Sequence, residues 1–292
     1  MTVYLDPPLW PAHGTLFSHL ISDSSLEELH DFARAAGIPP RAFDQDHYDV
    51  PQRRYEDLQA LGARAISAAE LTRRLIASGL RIPARARKSS LNTALILRWT
   101  TLMPGEENVG RALLERWSEP HRHYHSSVHL LAVLEALERL SPEPPRTVQL
   151  AAWFHDAVYR GVANQDEEES ALLVTELLDG ARAVSRQEAA EVQRLVRLTA
   201  HHSPDAGDHD GALLSDADLS VLGAEPAGYA RYLRAVRQDY AHLPDVDFAA
   251  GRAGIVRQLL DLDPLFHLPE ARELWAAQAR ANLMAELEFT PQ

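Results

Sequence analysis

Cysteine is absent from the 292 residues. That removes disulfides, thiolate metal sites and a cysteine nucleophile together, and leaves His, Asp and Glu as the strong ligands on offer. Any metal site is therefore of the nitrogen and oxygen type. No run of about 18 apolar residues occurs, and Met1-Thr-Val-Tyr-Leu-Asp6 lacks a basic segment followed by an apolar core, so neither a membrane helix nor a secretory leader is expected. The expectation is a cytoplasmic protein with no membrane partner. Basic residues are scarce: 29 Lys and Arg stand against 42 Asp and Glu, a formal charge of −13. Proteins that bind a nucleic-acid backbone show a basic stripe, so this balance argues against such a partner. The one local concentration of positive charge, Arg81-Ile-Pro-Ala-Arg-Ala-Arg-Lys88, reads as a solvated connector. Internal repeats and low-complexity tracts are missing as well.

What is present is apolar patterning, with 46% hydrophobic residues, enough for a substantial core. The fold class expected is mainly α: a small N-terminal α+β domain, residues 1–88, followed by an all-helical domain, residues 89–292. Val3-Tyr4-Leu5 opens as a strand before Pro7-Pro8. Ser24/Ser25 with Glu27/Glu28 and Ser67 with Glu70 make capping boxes for helices that stop near Gly37 and Gly79. Asp44-Gln-Asp-His-Tyr-Asp49, bounded by Pro51, reads as a loop. Beyond about Ser89, helix-period apolar positions recur without strand-like alternation. The expected helices are Leu91 to Leu102, Val109 to Trp117, Ser126 to Leu140, Val148 to Tyr159, Asp166 to Leu178, Ser185 to His202, Tyr229 to Tyr240, Phe248 to Leu260 and Glu270 to Glu288.

Within Leu150-Ala-Ala-Trp-Phe-His-Asp-Ala-Val158 stand His155 and Asp156, costly to bury unless hydrogen-bonded, paired or coordinated to a metal. His125 and His129 lie four apart, on one face if both are helical, and His201-His202 and Asp216/Asp218 follow downstream. A single histidine on an apolar helix is usually a satisfied core residue. Recurrence on several expected elements favours a site, and imidazole plus carboxylate suits a borderline or hard divalent cation.

This ordered set, His, His-Asp, Asp, resembles the HD-domain metal-dependent phosphohydrolases over residues 91 to 288. Further matching pieces are Glu119-Pro-His-Arg-His-Tyr-His125, Ala152-Trp-Phe-His-Asp-Ala-Val-Tyr159, Glu169-Ser-Ala171, Asp216-Ala-Asp-Leu-Ser220 and Tyr232 through Tyr240. Tyr124-His-Ser-Ser-Val-His129 is also similar to the Tyr-His-Asn-x-x-His segment of cyclic-nucleotide phosphodiesterases, although Ser126 replaces the Asn and Tyr159 a downstream histidine, so that specificity is not carried over. The resemblance implies a phosphate ester of a nucleotide or other small phosphorylated metabolite as substrate, hydrolysed when metal-activated hydroxide attacks phosphorus. It implies His129, His155, Asp156 and Asp218 as metal ligands, with Asp156 also catalytic and His125 as general acid.

The metal is one of Mn, Fe, Co, Ni, Zn or Mg. A second is left open, with His201 favoured over His202 to complete it across a bridging Asp156, against the reading of both as C-terminal helix residues facing the dipole. His201 is also a candidate substrate-binding residue. Arg122 is the expected phosphate contact, against the reading of a surface arginine paired to Glu119. Glu167 or Glu168 is a lesser candidate for orienting water. Alternatives are a di-iron oxygenase, a metal-dependent binding module without turnover, and a closed structural metal site. A homo-oligomer stays open. The N-terminal region resembles a small bacterial domain of unknown function, which brings no activity. Its Asp6, His13, His19, His47 and Asp49 form either a second polar site or loop caps and solvated carboxylates.

Overall fold

The computed structural model describes residues 2–12, 14–78, 80–81, 88–178 and 184–289. The chain divides into two compact units, Met1–Arg87 and Lys88–Gln292. His13, Gly79 and the greater part of the expected connector, including Pro83 and Arg85, lie outside the described residues.

The first unit is built on a sheet ordered β4-β5-β3-β1-β6, with β2 paired to β3 off that path. Its strands are β1 (Val3–Leu5), β2 (Trp10–Ala12), β3 (Thr15–Ser22), β4 (Phe43–Asp44), β5 (His47–Pro51) and β6 (Arg64–Ala65). Only the β1–β6 pair is parallel among these pairings. Alternation along the strands divides the apolar side chains between two faces. Val3, Leu5, Leu20, Tyr48 and Val50 pack with α1 (Leu26–Ala35) and α2 (Tyr55–Ala60), while Tyr4 and Ile21 pack with α3 (Ala68–Ala77). The expected Asp44 to Asp49 loop is therefore a tight hairpin, turning at Gln45 with φ 62° and running into β5. Tyr48 and Val50 belong to the core, and their burial outweighs the local density of carboxylates.

The second unit is helical, with no strand among its described residues. In order it contains α4 (Lys88–Leu102), α5 (Glu107–Trp117), α6 (Ser127–Leu140), α7 (Arg146–Phe154), α8 (Gln165–Leu178), α9 (Arg186–Leu198), α10 (His209–Asp218), α11 (Pro226–Asp239) and α12 (Asp245–Asp261). Then follow α13 (Pro269–Ala271), a π-type segment Arg272–Ala276 and α14 (Ala277–Phe289), where one helix is expected. The capping serines Ser25, Ser67 and Ser185 each accept the N–H three residues on, as their boxes predict.

Trp99, Trp117 and Trp153 are fully buried in one core with the apolar face of α7. A methyl group added at Gly110 would come within 2.3 Å of the Trp99 ring, so α4 and α5 meet there through glycine. Among the described residues no helix is long and apolar enough to cross a membrane.

Candidate metal centre

Three chain segments bring the His and Asp side chains together. His129 stands in the first turn of α6, His155 and Asp156 directly follow α7, and Asp218 closes α10. α7 ends earlier than expected, at Phe154, because the chain turns there and aims His155 and Asp156 inward. The His129 and His155 Nε2 atoms face each other at 3.2 Å. Asp218 Oδ1 lies 3.0 Å from His129 Nε2 and 3.6 Å from His155 Nε2, and Asp156 Oδ2 lies 3.7 Å and 3.3 Å from the same two atoms. Ligand atoms about 2.1 Å from a single ion and about 90–110° apart are separated by roughly 3.0–3.4 Å. His129, His155 and Asp218 each offer one ligand atom within 4.8 Å of the others, a grouping that could hold one cation, and Asp156 lies beside both imidazoles.

Their protonation chemistry fits the same group. His155 Nδ1–H donates to the Ala152 carbonyl at 2.9 Å, which fixes the ring orientation and leaves Nε2 facing the cluster. Burial alone would lower the His155 imidazole, but Asp156 and Asp218 outweigh it and raise its pKa to about 9. Burial likewise opposes ionisation of Asp218, yet His155 and His129 hold its pKa down to about 2, and the same imidazoles lower Asp156. Without a cation the cluster balances carboxylates against imidazolium; a divalent ion supplies that positive charge while the rings give up their protons.

Beside the cluster opens a pocket of about 340 Å³. At its polar end His125 Nδ1–H donates to Asp239 Oδ2 at 2.9 Å, and the imidazole stacks on Tyr159 at 4.0 Å between centroids. Asp239 also accepts the backbone N–H groups of His123, Tyr124 and His125. Burial pushes the Asp239 carboxyl up, but these donors prevail and hold it below the usual carboxylate range. Sequence reasoning did not single out Asp239, although it lies within the matching piece Tyr232 through Tyr240 at the end of an amphipathic helix. Val236, Phe248, Ile255 and Leu259 line the apolar end.

Several expectations change in detail. His125 and His129 do not share a helical face, since α6 begins after the N-cap Ser126 and His125 lies in the preceding turn. Arg122 has a wholly buried side chain that donates to Glu119, to the carbonyls of His125 and Asp156, and to that of Ala157, a place that favours anchoring over a phosphate contact. With its N–H groups directed at these acceptors, Arg122 anchors the His-Asp turn from behind. His201 is exposed, whereas His202 lies with its Nε2 3.7 Å from Asp218 Oδ2. The helix stops at Leu198, and His202, with φ 51°, turns its side chain inward from the left-handed region. Burial lowers the His202 imidazole, favouring the neutral ring a metal needs.

Asp216 faces away from the cluster, accepting the N–H groups of His267 and Leu268. Exposed Glu168 pairs with Arg197, while Glu167 lines the pocket with a buried Oε2 that has no hydrogen-bond partner. Burial, and then the charges of Asp156 and Asp166, raise the Glu167 carboxyl.

Residues 3–78 match a family described as a protein of unknown function (DUF4031). No curated protein and no solved structure matches the chain.

Proposed function

We propose that the helical unit is an HD-type, divalent-metal-dependent phosphohydrolase whose substrate is a phosphate ester of a nucleotide or another small phosphorylated metabolite. The observation that carries this reading is the grouping of His129, His155 and Asp218, with Asp156 beside the two imidazoles, against a pocket lined by His129, Asp156, Asp218 and His125. A divalent cation held there supplies Lewis-acid polarisation of a phosphoryl oxygen and an acidified water. The chain's own residues do the rest. With Nδ1–H committed to Asp239, His125 has Nε2 left to pass a proton to the departing oxygen. The buried carboxylate fixes that tautomer and the orientation of the ring. Tyr159, stacked on the ring, holds its plane, and Arg122 fixes the turn carrying Asp156. The apolar end suits a substrate with a flat or aliphatic body behind its phosphate.

A second reading, a two-cation site serving either hydrolysis or di-iron oxygen chemistry, is favoured by His202 beside Asp218 and by the unpartnered Glu167 oxygen. Elemental analysis of the purified full chain, with a panel of phosphomonoesters and phosphodiesters, tests both. Metal-dependent turnover supports hydrolysis; two irons without phosphoester turnover support the oxygenase.

His125→Ala is expected to keep the bound metal and to slow esters with poor leaving groups by about 10²–10⁴-fold, and activated aryl esters far less. Rates plotted against leaving-group pKa check this, the variant giving the steeper slope. Loss of metal from His125→Ala would make His125 a ligand and overturn the division of roles.

A further inference from the structure

We propose that the N-terminal unit carries a divalent-cation site of its own, formed by His19, His47 and Asp49. Strand register places these residues together. Tyr4 lies opposite Ile21 in the β1–β3 pair, both on the face covered by α3. Two residues further along each strand the same face reaches Asp6 and His19, joined by the Asp6 N–H donating to the His19 carbonyl. His19 is in turn directly opposite Asp49 on β5, and His47 lies two residues before Asp49, on that same face. An apolar surface thus gives way to a row of ionisable groups across three adjacent strands.

The hydrogen bonds orient the row as a ligand set. Asp6, 1% exposed, takes His19 Nδ1–H at 2.9 Å, and Asp46, fully buried, takes His47 Nδ1–H at 2.6 Å. Each imidazole is held from behind by a buried carboxylate, the arrangement that orients metal-binding histidines and raises their basicity. The two Nε2 atoms turn towards one oxygen, Asp49 Oδ1, 3.4 Å from His47 and 3.8 Å from His19, and the rings lie 4.9 Å apart, nearly perpendicular. Burying two carboxylates behind two imidazoles costs desolvation that a sheet has no structural need to incur. A cation shared by Nε2, Nε2 and Oδ1 gives that arrangement a purpose.

The donor set selects the metal class and the kind of site. Two imidazoles and one carboxylate suit Zn²⁺, Fe²⁺, Mn²⁺ or Co²⁺. The side-chain exposures, 5% for His47, 24% for His19 and 45% for Asp49, leave one side of the cluster facing solvent. Three protein ligands with an open side are the pattern of a site that binds water or a small anionic ligand, unlike a closed structural site. The proposal is independent of the reading of the helical unit, since it shares no residue with it.

Cobalt titration of the chelator-treated full chain tests it by calorimetry and visible absorption. Asp49→Ala is expected to remove one equivalent of bound Co²⁺ from the wild-type chain, and to remove it again in an Asp218→Ala background where the helical site is disabled. Asp6→Asn, which cannot touch the ion, should weaken the same equivalent by about 10–100-fold. Asp49 is half exposed, so its replacement leaves the sheet folded, which far-ultraviolet circular dichroism verifies; His19→Gln serves as a second variant. Unchanged stoichiometry and affinity in both Asp49→Ala and His19→Gln would overturn the site, leaving a hydrogen-bonded His-Asp network in its place. Failure of the helical reading shows separately, as an Asp218→Ala chain that loses no cobalt.

Discussion

His155→Ala and Asp156→Ala are each expected to release the metal proposed for the helical unit. Elemental analysis of the purified full-length variants is expected to show an affinity loss exceeding the roughly 10–100-fold typical of outer-sphere changes, and phosphoester turnover disappears with the metal. His155→Ala also lowers stability without metal, by about 3–5 kcal/mol, because it leaves the buried carboxylates of Asp156 and Asp218 short of their imidazolium partner.

The pH dependence has a definite sign. The folded pKa of His155, about 9, exceeds the ordinary 6.5, so its charge contribution to metal-free stability is complete below about pH 6.5 and fades as pH rises through 9. Denaturation with chelator present should therefore show the wild-type advantage shrinking between pH 6 and pH 9.5. Metal affinity runs the other way, weakening towards acid as protons compete for the same nitrogen. Unchanged metal content in both variants would sink the ligand assignment.

Arg122→Ala is expected to be among the most destabilising single changes in the helical unit, at about 3–5 kcal/mol by denaturant unfolding. The loss follows from its position: the carbonyls of His125, Asp156 and Ala157 all depend on one guanidinium, which also pairs with Glu119. Arg122→Lys separates this role from a phosphate contact. An ammonium cannot reproduce the planar fork, so lysine should recover little stability and should weaken metal binding through displacement of Asp156. A phosphate-binding arginine would behave otherwise, with Arg122→Lys keeping the melting temperature and raising KM alone.

Much of the helical unit was legible because its signals are local. The box Ser185 to Glu188 fixes the start of α9, and the apolar period of α6 and α8 gives their extent. The His-Asp pair stood out because no apolar run tolerates those side chains without partners. What escaped was set by distant contacts. α7 stops at Phe154, although the apolar run continues, because Arg122 draws the Asp156 and Ala157 carbonyls out of helical register. Arg122 itself gave no sign of burial, since two of its acceptors, the Asp156 and Ala157 carbonyls, lie more than thirty residues away. Neighbouring His201 and His202 are alike in sequence, and only the left-handed turn at His202 separates them. In the first unit, β3 mixes polar and apolar residues on both faces, so neither the strand nor the alignment of His19 with Asp49 could be read before the register was known.

The position of Asp239 ties local opening of the pocket to fraying of a helix. A carboxylate in the last turn of α11 faces the carbonyl end of the helix dipole, an arrangement unfavourable by about 0.3–1 kcal/mol. It is retained there by the His125 ring and the three N–H groups of the 123–125 turn. Neither partner is at rest without the other, so the turn and the helix end form one cooperative unit with a common opening free energy, and their amides should exchange with solvent together. Tyr240, the next residue, lines the same pocket. Opening of the pocket wall at His125 is then expected to accompany release of the end of α11.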